Sequence, residues 1–304
     1  MDLRQLAVLT AVADHRSFSA AARALHTVQS NVSTHVARLE RELGTTLVDR
    51  TSGVLTDAGE LVVARARRVQ AELEALTSDV ASSVGDIAGQ VRFGVIGTIG
   101  RWLIPLLLAE MNGTHPKVQV VVVDATTTSL VPQLAARQLD LAVVNLPVTH
   151  PDVESTPVFE ETHRLVVPDG HPLAGRKRIS LTELAGQPVL LEPKGTGFRD
   201  DLDADATRAG VELLPAAEVD GMRLLASLAF QGYGAAVLPA SAVQREEDPH
   251  WKAIPLDGCT PRAVGVAVPR RGRLSAAARA TQTVLQHVLA TDGPSREGIR
   301  LIGG

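Results

Sequence analysis

The amino-acid sequence predicts an all-α head carrying a small β wing, one long linker helix, and an α/β body in two lobes. Three observations carry this reading. Residues 1–58 hold three short helical periods and a Gly-centred pair of strand-like runs, residues 59–89 hold a heptad repeat, and from residue 90 onward β-branched runs alternate with helical ones. A length of 304 residues suits two or three such units. With 45% apolar residues the chain has cores to build, which excludes a disordered protein. No apolar run reaches the ~18 residues of a membrane span. The start of the chain sets charges among its apolar positions and lacks the form of a cleavable export signal. Cys259 is the single cysteine, so neither an internal disulfide nor a multi-thiolate metal site is available. A cytoplasmic protein without metal or cofactor is expected.

In the head, Leu3, Leu6, Ala7 and Leu9 to Val12 predict a first helix ending near Asp14-His15-Arg16. Ser17-Phe18-Ser19 opens a second, with Ser17 or Ser19 placed to accept from its free backbone N–H groups. Its Ala20–Leu25 stretch is rich in alanine, which lets helices cross closely. After a break at His26-Thr27, a third helix runs from Val28 to Leu43, with Val28, Val32, Val36, Leu39 and Leu43 on one face. The opposite face carries Gln29, Ser30, Ser33, Thr34 and Ala37, and its first two turns have no long Lys or Glu, so its backbone can approach another surface. Gln can bond adenine N6 and N7, and Ser or Thr can bond phosphates or base edges. Two helices joined by a short turn, the second with a smooth polar face, describe a helix-turn-helix on double-stranded DNA. A plain three-helix bundle is the alternative. The candidate contacts on this helix are Thr27, Gln29, Ser30, Asn31, Ser33, Thr34, His35 and Arg38.

Gly44 to Arg50 and Thr51 to Thr56 read as the two strands of a wing, with Arg50, Thr51 and Ser52 at its tip as candidate phosphate contacts. Charge agrees. Residues 1–68 carry nine Arg against seven acids, a balance of +2, within a chain whose net charge is −4. Thr56 and Asp57 then start a long helix. Val62, Ala66, Val69, Leu73, Leu76 and Val80, spaced 4, 3, 4, 3 and 4, form a seam that runs on to Ile87 and predicts pairing of two chains. The alternative is a helix packed on its own domain.

The run FSAAARALHTVQSNVSTHVARLERELGTTLVDRTSGVLTDAGE resembles the winged helix-turn-helix of LysR-type transcriptional regulators. The resemblance spans essentially the whole chain. Members commonly carry Gln-Pro where this chain has Gln29-Ser30, and Gln29 itself carries over. The resemblance implies an all-α winged helix-turn-helix head with a long linker helix, followed by an α/β two-lobed effector domain of the type 2 periplasmic-binding-protein-like kind. It implies a homodimer or homotetramer, a dimer of dimers that bends DNA at an interrupted inverted repeat in a promoter and is reset by a small-molecule effector.

In the body, Gln90–Ile96 reads as a strand leading into a helix through Met111, and Val118–Val123 as a strand buried in a parallel sheet. Thr126–Ser129 opens a helix, and Leu139–Val144 is the next strand. Arg164–Pro168 and Ala263–Val268 match the family's crossover strands. The expected effector domain, 90–304, therefore divides into lobe I at 90–167 and 265–292 and lobe II at 168–264. Disorder is expected for residues 291–304. A ligand cleft is expected between the lobes, at strand ends and helix starts. Its candidates are Thr98, Ile99 and Gly100 at one helix start, Thr127, Thr128 and Ser129 at another, Asn145, and the turn Gly197-Phe198-Arg199. Helix N-termini and Arg199 point to an anionic effector. The alternative for Arg199 is a surface salt bridge to Asp200, Asp201 or Asp203.

Enzymatic patterns are missing. Gly94 to Gly100 is not GxGxxG, Lys194 precedes its glycines and so makes no phosphate-binding loop, and no GxSxG elbow occurs. His163, Asp169 and His171 fall at the interlobe crossing and read as structural. The histidines show no metal-ligand spacing. Two rival readings remain, a solute-binding module with a vestigial head and a hydrolase or transferase using the cleft.

Overall fold

The computed structural model describes residues 1–50, 52–82, 87–243, 247–248 and 250–302. The head contains α1 (Leu3–His15), α2 (Phe18–Ala24) and α3 (Gln29–Leu43). Asp2 and Gln5 start α1 by reciprocal capping, each side chain accepting the other's backbone N–H at 2.8 Å. Ser17 caps α2 by accepting from the Ala20 N–H at 3.3 Å. Val32, Val36 and Leu39 are buried with Leu6, Leu9, Val12 and Leu47 in one core. Val28 departs from the expected face. It is the residue before α3 and 60% exposed, and Leu43 at the other end is exposed as well, because the helix is longer than the core it covers.

The predicted wing strands reduce to a single bridge between Val48 and Leu55. Between them the Gly53 N–H donates to the Asp49 carbonyl (2.7 Å) and the Asp49 N–H to the Val54 carbonyl (2.8 Å), a turn too tight to leave a ladder. Gly53 has φ +72°, and a Cβ there would lie 2.7 Å from the Arg16 carbonyl oxygen, so the wing rests directly on the end of α1. Thr56 Oγ1 then accepts from the Gly59 N–H (3.0 Å) and starts α4 (Asp57–Ser82), with Asp57 and Glu60 at the positive end of the helix dipole. A Cβ on Gly59 would sit 2.0 Å from the Leu47 carbonyl oxygen, so head and linker are packed backbone to backbone.

The expected dimer seam divides in two. Val62 packs against the head core and Ala66 is buried in it, whereas Val69, Leu73, Leu76 and Val80 are exposed. The first half of the helix is thus packed on its own domain, and the second half leaves its apolar seam residues open. The described helix ends at Ser82, and Ile87, expected on the seam, packs instead against the body.

The first sheet of the body comprises β1 (Gly89–Val95), β2 (Val118–Asp124), β3 (Leu141–Asn145), β4 (Val153–Glu161), β12 (Arg262–Pro269) and β13 (Ile299–Leu301), in the order β13-β4-β12-β3-β1-β2. Helices α5 (Gly97–Thr114), α6 (Thr127–Ala135) and α9 (Ala276–Asp292) accompany it. The second sheet, β10 (Glu247–Asp248), β11 (Trp251–Asp257), β5 (His163–Pro168), β9 (Ala235–Pro239), β7 (Pro188–Leu191) and β8 (Leu214–Glu218), pairs in that order, with β6 (Ile179–Ser180) beside β11. It packs α7 (Gly197–Arg208) and α8 (Met222–Phe230) over two separate apolar clusters.

Three expectations for the body are corrected. The Arg164–Pro168 run lies inside the second sheet, between β11 and β9, and β12 begins at Arg262, so the chain crosses between lobes at Thr162 and at 258–261 rather than at 168 and 264. A β-branched run reads alike in either sheet, and only its hydrogen-bond partners assign it. The Val118–Val123 strand is the sheet's edge, with Val122 exposed, and is not buried on both sides. The tail is ordered through Ile302: β13 pairs with β4, and Arg296 lies over Trp102 at 4.4 Å from its ring centre while pairing with Asp292.

Candidate DNA-reading face and interlobe cavity

Helix α3 stands on its apolar face, which leaves Gln29, Ser30, Asn31, Thr34 and Arg38 in the open and Thr27 and Ser33 half-buried. Their polar atoms are oriented by short local bonds. Gln29 Oε1 accepts from Ser19 Oγ (2.8 Å), Asn31 Nδ2 donates to Thr27 Oγ1 (3.0 Å), and Thr34 Oγ1 donates to the Ser30 carbonyl (2.8 Å). These bonds lie within the head's own surface and leave further donor and acceptor capacity outward. Among the described residues Arg38 has no ion-pair partner. His35 departs from the expected set: it is half-buried with Nδ1 shut away from solvent, because its position on the helix borders the core stripe.

The wing supplies less than expected. Arg50 pairs with Glu40 at 2.9 Å and lies 5.9 Å from the centre of the Phe18 ring, so its guanidinium is already engaged within the head. Burial works to raise the Glu40 carboxyl, but the N–H groups of Leu47 and Val48 together with Arg50 hold it below the usual value. Ser52 is exposed and its Oγ accepts from the Val54 N–H (3.3 Å). Thr51 lies outside the described residues.

In the body the lobes enclose a cavity of about 280 Å³. Its wall comes from Leu146 and Pro147 after β3, from His163 on β5, from Phe198, Leu202 and Asp205 of α7, and from 260–263, the end of the second crossing and the start of β12. A buried ion pair holds the two crossings together. Glu161, fully buried, accepts from Arg262 Nε (2.9 Å) and from the Ser241 N–H (2.7 Å), and Arg262 Nη2 donates to Thr98 Oγ1 (3.1 Å). His163 sits 5.5 Å from Phe198, ring centre to ring centre, and its Nδ1 is buried without a partner. Burial, with Arg262 adding to it, pushes the imidazole down to about 4. At the far side of the interface Arg223 of α8 pairs with Asp124 at the end of β2, a second link between the lobes.

Of the residues expected in the cleft, Phe198 lines this cavity. Thr98 reaches its edge through Arg262. Ile99 is buried in the core of lobe I, and the N–H groups of Ile99 and Gly100 both bond the Ile96 carbonyl, so neither is free for a ligand. At the start of α6, Thr127 Oγ1 accepts from the Asn145 N–H (3.0 Å), while Thr128 and Ser129 bond Thr126. Asn145 keeps Oδ1 buried and without a partner. Gly197 is exposed at the start of α7. Arg199 departs most. It is 3% exposed and donates to Asp203 (2.9 Å), to Glu218 (3.1 Å) and to the Glu192 carbonyl (2.8 Å), so it ties α7 to its own lobe and clamps nothing in the cleft. Of its alternative partners only Asp203 is one, in a buried rather than a surface bridge.

Reading the sequence missed Glu161, Arg262 and Asp201, and set His163 aside as structural. A usable signal existed: a Glu-x-His at one lobe crossing and an Arg at the other place three polar side chains where two strands run side by side.

Residues 3–60 match the model of the bacterial regulatory helix-turn-helix proteins of the lysR family, and residues 85–290 match the LysR substrate binding domain. The chain is 32% identical over 251 residues to the hydrogen peroxide-inducible genes activator of Pectobacterium carotovorum subsp. carotovorum, covering 82% of this chain and 83% of that protein. It is 30% identical over 297 residues to the probable hydrogen peroxide-inducible genes activator of Mycobacterium leprae, covering 94% of each. Among solved structures, a full-length OxyR cysteine-to-aspartate variant from Pseudomonas aeruginosa superposes with a TM-score of 0.77 at 25% identity over 96% of this chain and 95% of that one. CbnR bound to its target DNA shares the fold at a TM-score of 0.67 and 23% identity, over 94% and 99% of the two chains. With a reading helix set on a rigid head and a cavity between two lobes, this chain belongs to the lysR family of bacterial helix-turn-helix proteins and is a DNA-binding transcriptional regulator with a small-molecule effector domain.

Proposed function

We propose that α3 reads a promoter through Gln29, Ser30, Asn31, Ser33, Thr34 and Arg38, and that the interlobe cavity receives the effector without turning it over. The observation that carries the DNA reading is the face of α3, solvated along its length and free of bulky charged side chains over its first two turns. Two such helices in one dimer read major grooves roughly 34–36 Å apart on an interrupted inverted repeat of chromosomal DNA in the cytoplasm. The exposed Val69, Leu73, Leu76 and Val80 on α4 supply the surface for a second copy, and the open edge of β2 supplies another, as a dimer of dimers requires.

Helix α6 links the two sites. Its first residue, Thr127, holds the Asn145 N–H just before the cavity wall begins at Leu146. Beyond its last turn, the Gln138 side-chain oxygen, in the amide orientation that satisfies both of its atoms, accepts from Arg67 Nη2 of the linker at 2.9 Å. Arg67 in turn pairs with Asp14 of α1. An effector shifts the head only as far as it binds one arrangement of these parts better than another.

The signal differs from that of the peroxide-inducible relatives. A thiolate attacks peroxide oxygen, displacing hydroxide and becoming a sulfenic acid, and a reversible intramolecular disulfide then needs a second cysteine. The lone Cys259 is half-buried, and burial, with Asp257 adding to it, pushes its thiol up to about 11.

The test is fluorescence anisotropy of the full chain on DNA upstream of its own gene against scrambled DNA, across a salt series. Preference of about 10³-fold or more is expected, and it should fall on Gln29→Ala and Ser33→Ala. Equal, steeply salt-sensitive binding to both DNAs would leave the head a generic electrostatic contact.

A further inference from the structure

We propose that the interlobe cavity is built for a small organic cation, an amine that meets the Asp201 carboxylate and His163 Nδ1 while its apolar body lies against Phe198. This rests on the effector reading above and reverses the anionic ligand expected from the sequence.

Among the described residues, every guanidinium near the cavity is already engaged. Arg199 is held by Asp203, Glu218 and a carbonyl inside lobe II. Arg262 is held by Glu161 and Thr98. Arg208 is held by Asp205 and donates to Thr260 Oγ1 at 2.9 Å. An anion entering here would have to draw one of them away from a carboxylate.

The acids are engaged unequally. Asp205 is buried and accepts from Arg208 and from the N–H and O–H of Thr260. Asp201, one turn earlier on the same wall of α7, has no hydrogen-bond or ion-pair partner among the described residues. Asp200 in the first turn of α7 offsets the positive end of that helix, which would otherwise favour an anion. Close by, Glu192 is held above the usual carboxylate value by burial and by the neighbouring Asp220. Carboxylates thus gather on the α7 side of the cavity, while the Arg262 charge bears on His163 from the other side.

The second observation is independent of the acids. His163 is 7% exposed, lines the cavity and leaves Nδ1 unbonded. A buried ring nitrogen without a partner is costly, and a ligand N–H relieves it. One residue before the wall begins at Leu146, Asn145 Oδ1 is a second buried acceptor in the same condition. The burial that holds the imidazole neutral also keeps it from repelling a cation. Phe198 presents a ring beside His163, and a cation within about 6 Å of a ring centre is attracted to its face. At about 280 Å³ the cavity is at the small end of ligand sites, so the occupant is a compact molecule with one ring or a short chain.

Benzylamine and benzoate, matched in shape and opposite in charge, are the probes, titrated calorimetrically into the full-length protein and into Asp201→Asn and His163→Phe. Saturable one-to-one binding of benzylamine is expected, weakened about tenfold by Asp201→Asn, with no saturable binding of benzoate. Asp201 is exposed, so that variant folds whether or not His163→Phe does. Benzoate binding as tightly as benzylamine, benzylamine binding that ignores Asp201→Asn, or saturation by neither would each overturn the proposal. Operator preference measured on the same preparation separates the cases: if it persists, only the ligand class is wrong, and if it is lost, the regulator reading fails with it.

Discussion

Helices α3 and α7 both begin at residues that the sequence marks for binding, yet the structure uses them in opposite ways. On α3, Ser30, Thr34 and Arg38 face outward and bond little beyond their own turn. On α7, Arg199 is consumed by Asp203, Glu218 and the Glu192 carbonyl, while Phe198 and Asp201 reach the cavity. The difference lies in the number of neighbours. A helix laid on a core by one stripe leaves the other face to solvent or to a ligand, so periodicity alone identifies that face. A helix wedged between a sheet and a chain crossing has structure on several sides. Which of its side chains stays free then depends on residues far away in sequence, such as Glu218 and Thr260.

That contrast can be broken at its strongest point. Glu161→Ala leaves Arg262 without its buried partner and the Ser241 N–H unbonded, and is expected to cost the body about 3–5 kcal/mol while the head keeps its stability. Amide exchange followed region by region is the suitable readout, since a chain of several units need not unfold as one. Equal loss of protection in head and body would mean that the two are not separate units of stability.

A smaller effect sharpens the comparison through pH. The His163 pKa is depressed in the folded protein, so the unfolded chain binds the proton first as pH falls. The stability this group contributes is complete above about 6.5, the ordinary histidine value, and declines by up to about 1.4 kcal/mol per pH unit until the folded value near 4 is passed. His163→Phe should flatten that part of the profile in lobe II. A profile of unchanged steepness would show that the imidazole is not buried neutral.

The smallest effect separates two arginines of the head. Arg38→Ala should lower the salt slope of DNA binding by about one, as loss of one phosphate contact does. Arg50→Ala should leave the slope in place and cost the head at most about 1 kcal/mol through its half-exposed pair with Glu40. A slope that falls for Arg50→Ala would mean the guanidinium leaves Glu40 for a phosphate when DNA binds.

By itself the sequence determined what one element and its solvent decide: the three head helices, a serine cap at Ser17 or Ser19, the start of the linker at Thr56-Asp57, the alternation of strands and helices in the body, and the polar face of α3. These follow from apolar spacing and from local backbone bonding, which act over a few residues. The tertiary structure decided what depends on distant partners. It assigned Arg164–Pro168 to the second lobe, set β2 at an edge, and folded the tail into a strand, because a strand's place is a matter of its hydrogen-bond neighbours. It split the linker seam into a half buried in the head and a half left open. It also took Arg199 out of the cleft and put His163 and Asp201 around a cavity, since a charged group is free for a ligand only where the fold brings it no partner of its own.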